Sequence, residues 1–289
     1  MAFAVIGATG RVGSLVVKHL LGFHEAVRVL VRDPGKAHRL FDAVGGDLDV
    51  RAVPLDDRSA IDAALEGVRV AFIAMGSVGL EGNLQRLIVD AAARSPSLEQ
   101  VVRLSVLNSG PSSLGLNQQG HWSIDFAAEA LGLPYTTIRP SVFSASVLAA
   151  ATEIRSERTW TGLADTGRVA LCDHRDVAEV AVRILRDSTT WSTHYDLTGP
   201  RLLSWPDVAA LISVELGAPV EFRVIPDRTL VYRMIEAGVP PSKAELLVTR
   251  EWAILRGENE HTTETISELL GRPPRTVEKF LRDYIDYFR

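Results

Sequence analysis

Three glycines, Gly7, Gly10 and Gly13, stand in the stretch VIGATGRVG near the start of the chain. Glycines in such a stretch let a phosphate come close to the backbone, because they carry no Cβ and accept conformations closed to other residues. A helix starting directly after them adds unpaired N–H groups and the positive end of its dipole, and together these hold a pyrophosphate. The flanking residues supply the required elements. Phe3 to Ile6 is apolar and partly β-branched, the pattern of a short buried strand, and Ser14 to Leu21 has the apolar periodicity of a helix. The spacing G-x-x-G-x-x-G is one residue longer than the familiar G-x-G-x-x-G of dinucleotide sites. A tight turn without a ligand is the competing reading at this point.

The alternation of strand and helix continues beyond this turn. AVRVLV, DVRAVP, VRVAFIAM, LEQVVRLSV and PYTTIRP read as strands, separated by the helical stretches GKAHRLFDAV, RSAIDAALEG, NLQRLIVDAAARS and WSIDFAAEALG. Strands joined by helices of this length form right-handed parallel crossovers, so the expected fold class is α/β, a Rossmann-like doubly wound parallel sheet. Past Val142 the rhythm changes to a smaller α+β region. The expected division is a nucleotide-binding domain over 1–141, with 168–198 returning to it, and a mainly substrate-binding region over 142–289. No Gly/Ser- or Pro-rich linker and no internal repeat marks the boundary.

The totals narrow the function classes. Among 289 residues, 31 Lys and Arg stand against 36 Asp and Glu, a net charge of −5 that disfavours a broad phosphate-binding face and direct nucleic-acid binding. The single cysteine, Cys172, has no internal disulfide partner, and no Cys/His spacing of a metal site appears, so no metal is expected. No run of about 18 apolar residues suggests a membrane span. Gly7, Gly10 and Arg11 break the N-terminal apolar run, which leaves no secretion signal, and a cytoplasmic protein is expected. G-x-S-x-G, H-E-x-x-H and G-x-x-x-x-G-K-[ST] motifs are all missing, which removes the commonest hydrolase and kinase readings.

The order of the motifs GATGRVG, VRVLVRDPGKA, NLQRLIVDAA, HWSIDFAAEALGLPYTTIRPSVF, DHRDVAEVAV, YDLTGPRLLSWPDVAALISVELGAPV and LLGRPPRTVEKFLRDY resembles that of the NmrA-like family of atypical short-chain dehydrogenases/reductases. The resemblance implies NAD(P) binding, and places Gly7, Ala8, Thr9, Gly10, Arg11 and Val12 around the pyrophosphate. NADP sites put a cation at the end of the second strand where NAD sites put an acid. Here that end reads Val31-Arg32-Asp33, with Lys36 following and Arg11 in the glycine turn, which favours NADP(H). Asp33 paired with Arg32, or serving a ribose itself, is the alternative. One of Asp56 and Asp57 is placed by resemblance near the adenine, although Asp57 fits equally well as a helix cap. Met75 and Gly76 are expected at the adenosine ribose, and Pro140, Ser141, Val142 and Phe143 against the nicotinamide.

The resemblance also frames the chemistry. None of the five tyrosines has a lysine four residues later, so the Tyr-x-x-x-Lys acid of typical short-chain dehydrogenases is missing. His121 matches the position where the family often carries a histidine or lysine, and a histidine titrating near neutrality could supply the proton. Ser105 stands where related enzymes keep a serine near the substrate carbonyl, and could donate to an oxyanion. The aromatic residues Trp122, Trp160, Trp205, Trp252 and Tyr232, with Met234, offer surface for a planar or apolar substrate. The expected function is NADPH-dependent reduction of a small carbonyl, quinone, enone or imine. The alternative is an NADP-binding redox sensor acting through a partner protein, since the family contains both.

Overall fold

The computed structural model describes residues 2–76, 78–192 and 194–289, and the chain divides into two compact units. The first holds residues up to 109, then 120–139 and 174–196; the second holds 110–119, 140–173 and 197–289. In this division the returning segment of the first unit runs from His174, and a short piece before residue 120 joins the second.

In the first unit, β1 (Ala2–Ile6) leads through α1 (Arg11–Gly22) to β2 (Ala26–Val31), α2 (Pro34–Phe41), β3 (Leu48–Ala52) and α3 (Arg58–Leu65). The order continues with β4 (Val68–Ile73), α4 (Gly79–Arg94), β5 (Gln100–Leu104), α5 (Leu116–Ala130) and β6 (Tyr135–Pro140). A seven-stranded sheet has the order β3-β2-β1-β4-β5-β6-β8, where β8 is His194–Leu197. Pairings from β3 across to β6 are parallel. The fold is thus a Rossmann-like α/β sheet, and its topological switch lies between β1 and β4, where ligands of such sheets bind outside the strands' carboxyl ends.

Burial follows the parallel pattern: Val70 to Ile73 of β4 are at most 1% exposed, as a strand covered on both faces requires. One apolar layer joins Ile6, Leu30 and Ile73 of the sheet to Ile61, Ile88 and Ile124 of α3, α4 and α5. On another helix layer, α1 packs against α7 (His174–Arg186).

The second unit carries α6 (Ala151–Glu157), β7 (Thr159–Gly162), α8 (Trp205–Leu216), β9 (Glu221–Val224), α9 (Asp227–Glu236), α10 (Pro241–Leu255), α11 (Thr265–Leu270) and α12 (Val277–Tyr284). β7 and β9 pair in parallel. Its core gathers Val169, Leu171, Trp205, Ile212, Ile254 and Phe280. Trp160 lies against Trp205 with ring centroids 5.3 Å apart, so these two tryptophans belong to that core rather than to a free substrate surface. No helix among the described residues is long and apolar enough to cross a membrane.

Candidate active site

The turn after β1 is built as its glycines require. Gly7 has φ +80°, and a Cβ there would lie 2.1 Å from the Ala74 carbonyl oxygen at the end of β4. Gly13 is held for packing, since its Cβ would lie 2.2 Å from the Gly7 oxygen, inside any tolerable contact. Gly10 differs: a Cβ there meets only the Gly7 oxygen, at 3.2 Å, with open space beyond. It is also the N-cap of α1 and offers no side-chain cap, and no acidic residue lies in the helix's first turn. The first N–H groups of α1, on Arg11, Val12 and Gly13, therefore have neither an intrahelical partner nor a capping side chain, the arrangement that receives an anion. Ala8 is buried beneath this turn, and Thr9 stands half-exposed within it.

Neighbouring strands bring further predicted residues to the same sheet edge. Ile6 of β1 pairs with Leu30 of β2, so Arg32 follows one strand over from the turn. Arg11, Arg32 and Lys36 are exposed, and none has a side-chain partner among the described residues. This contrasts with the same unit's Arg28, Arg39, Arg51, Arg58 and Arg94, each paired with an aspartate. Asp33 does not pair with Arg32. It caps α2, accepting from the Lys36 backbone N–H at 3.1 Å, and faces Arg39 at 3.9 Å.

Asp57 likewise caps α3, its Oδ1 accepting from the N–H groups of Ser59 and Ala60 at 2.9 and 3.2 Å. Asp56 is exposed and makes no such bond. Asp57→Ala is therefore expected to cost about 1 kcal/mol of stability through the lost cap. Asp56→Ala should change it by less than about 0.5 kcal/mol. Thermal unfolding of the two variants checks the pair, and equal losses would contradict this division. Met75 and Gly76 follow β4, with Met75 packed on the core and the exposed Glu81 carboxylate lying beside Gly76. Pro140, Val142 and Phe143 lie in the second unit. There Val142 accepts from the Cys172 N–H at 2.9 Å and Phe143 forms a bridge to Cys172. The buried hydroxyls of Ser141 and Ser144 in this stretch have no protein partner among the described residues.

His121 and Ser105 do come together, through residues that the sequence reading missed. Arg103 of β5 is completely buried. Its guanidinium donates from Nε to Gln85 Oε1, from one terminal nitrogen to Asp125 Oδ1, and from the other to His121 Nδ1 at 2.7 Å. Asp125 accepts from two further donors, Ser105 Oγ at 2.7 Å and the Tyr135 hydroxyl at 2.8 Å. Gln85 in turn donates to the Gly76 carbonyl at 2.8 Å. A buried carboxylate is tolerated here because two hydroxyl donors and one cation surround it.

This cluster sets the state of both candidate groups. Burial, aided by the adjacent Arg103 charge, holds His121 well below the ordinary 6.5, so the ring is neutral where an acid would need to be charged. Unfolded chain binds a proton at this ring that folded chain refuses, so stability declines as the pH falls below 6.5. Ser105 has committed its proton to Asp125 and cannot also donate it to an oxyanion. Burial pushes the Tyr135 phenol well above 10.0, which keeps its proton in place on Asp125. The signals open to a sequence reader were an arginine inside the strand QVVRL and the His121/Asp125 spacing of one helical turn.

Comparison with known proteins agrees with this architecture: the NmrA-like family model matches residues 2–281. The chain belongs to the NmrA-like family. It is 26% identical to quinone oxidoreductase 2 of Escherichia coli over 277 residues, covering 95% of each chain. It is 29% identical to the NAD(P)H azoreductase of Xenophilus azovorans, covering 98% of each. A crystal structure of the Escherichia coli NADPH-dependent quinone oxidoreductase, complexed with NADPH, superposes with a TM-score of 0.90 at 24% identity, covering 98% of this chain and 99% of that one. At that identity the superposition speaks for the fold.

Proposed function

We propose that this protein is an NADPH-dependent oxidoreductase acting on small, planar or apolar acceptors. The observation that carries the reading is the set of exposed cations Arg11, Arg32 and Lys36, without acidic partners among the described residues, beside the uncapped N-terminus of α1. A diphosphate fits the helix terminus, and a 2′-phosphate fits the cations. Asp33, the acid that would serve a ribose instead, is engaged in capping α2. The names of its family relatives, a quinone oxidoreductase and an NAD(P)H azoreductase, support the same reading.

When bound, NADPH supplies a hydride. What the chain's own residues supply narrows the acceptor. His121 is neutral, Ser105 and Tyr135 hold their protons on Asp125, and so no group of this cluster stands ready as an acid at neutral pH. An acceptor whose reduced form is stable as an anion, or is neutral outright, needs no such acid, because water protonates it afterwards. Quinones, extended enones and iminium ions meet that condition; an unactivated ketone, which becomes a strongly basic alkoxide, does not. The same lack of an acid favours a second reading, an NADP sensor that binds and does not turn over, and consumption of NADPH with a quinone separates the two.

Equilibrium titration followed by nicotinamide fluorescence tests the cofactor. Wild-type protein is expected to bind NADPH about 100-fold more tightly than NADH, since two charge-assisted bonds contribute about 3 kcal/mol. Arg32→Glu should remove that preference by replacing attraction with repulsion. Equal affinities in the wild type, or an unchanged preference in Arg32→Glu, would contradict the assignment.

A further inference from the structure

Each guanidinium nitrogen of Arg103 donates within the buried cluster, and the donor to His121 decides the state of that ring. A guanidinium donates and never accepts. Nδ1 of His121, 2.7 Å from Arg103, must therefore be the unprotonated nitrogen, and the ring proton sits on Nε2. Nε2 has no protein partner among the described residues and is not a buried orphan, while the residue as a whole is 6% exposed. Its N–H is therefore left over for a ligand.

We propose that Arg103 is the positioning residue of this site: it fixes His121 as the neutral Nε2–H tautomer, a permanent hydrogen-bond donor to the acceptor's oxygen or nitrogen. The donor's role toward an acceptor rests on the reductase reading above, whereas the tautomer does not. A neutral imidazole held in this way polarises a carbonyl without surrendering its proton, as in enzymes that use histidine as an electrophile. Other groups facing the cluster do not compete for the ring. Asp125, one turn on along α5, is occupied by Arg103, Ser105 and Tyr135, and the Tyr135 hydroxyl from β6 points to Asp125. Gln85 of α4, which carries no charge, extends the hold by joining Arg103 to the Gly76 carbonyl, so the donor is tied to the loop after β4.

The test is nitrogen-15 NMR of the protein labelled at histidine, with the His121 signals identified by their loss in His121→Gln. As the pH is lowered through 6.5, the His121 ring is expected to stay neutral with its proton on Nε2. An Nδ1–H ring, or one that takes up a second proton near pH 6.5, overturns the proposal without any variant. Asp125→Asn keeps the arginine and should leave the tautomer unchanged. Arg103→Lys keeps the charge but loses the fork, and should release the ring to a mixture of tautomers that titrates; an unaltered Nε2–H ring in folded Arg103→Lys overturns the proposal. Should Arg103→Lys fail to fold, the wild-type and Asp125→Asn spectra decide, with loss of the tautomer in Asp125→Asn counting against Arg103. Because these spectra need no turnover, an Nε2–H ring in a protein that never consumes NADPH would refute the reductase reading and leave the assignment of Arg103 standing.

Discussion

Alanine at Gly13 is expected to destabilise the protein by about 3 kcal/mol, while alanine at Gly10 costs less than about 1 kcal/mol and instead weakens NADPH binding at least about tenfold. The two glycines stand three residues apart at the start of the same helix and do different things. A Cβ on Gly13 would sit 2.2 Å from the Gly7 carbonyl oxygen, and that oxygen also accepts the Gly10 N–H at 3.0 Å, so neither partner can retreat without opening the turn. The damage is to the packing of α1 on the end of β1. A Cβ on Gly10 meets the same oxygen at 3.2 Å, which a few tenths of an ångström relieve, and otherwise projects into open space beside the uncapped helix terminus. On the proposed reading the pyrophosphate comes to that space. Thermal unfolding and fluorescence titration of both variants separate the roles. A stable Gly13→Ala protein, or a Gly10→Ala protein that binds NADPH as tightly as the wild type, would contradict the division.

How much of this was legible beforehand follows from how local each feature is. The glycine turn, the strand and helix order, and the family could be read because they depend on residues adjacent in the chain: turn chemistry at Gly7, periodicity in Ser14–Leu21, apolar runs such as VAFIAM. Arg32, Lys36 and Arg11 could be read for the same reason, each sitting within a few residues of a strand end. Asp57 showed both faces in the sequence, and its cap on α3 is the one observed. Arg103 could not be read in this way. Nothing next to it in the chain says that it is buried, since its partners Gln85, His121 and Asp125 arrive from α4 and α5, 18 to 22 residues away. A histidine and a serine taken singly suggest an acid and a donor. Only the tertiary arrangement shows that the first has its Nδ1 engaged and the second its proton spent. The place of β8 beside β6 is likewise long-range: the strand returns to the sheet after a segment of the second unit has intervened.

The second large effect concerns the acceptor. Without a charged acid in the cluster, the rate advantage that general acid catalysis gives, about 10²–10⁴-fold, is not available to an acceptor that must be protonated as it is reduced. A quinone does not need it, because the hydroquinone anion is a weak base and takes its proton from water. The expected result is that the protein reduces a simple naphthoquinone at least about 100-fold faster than an aryl ketone of similar size. The quinone rate should not fall between about pH 6 and pH 8, where a histidine acid would lose its proton.

Rapid mixing of the NADPH-loaded protein with each acceptor, followed through the nicotinamide absorbance, measures this in a single turnover. Loss of that absorbance with the quinone, at a pH-independent rate and with little or none for the ketone, is the expected outcome. NADPH that stays bound and unoxidised in the presence of quinone would contradict an oxidoreductase of this kind, and a ketone rate equal to the quinone rate would show that the site holds an acid other than those of the Arg103 cluster.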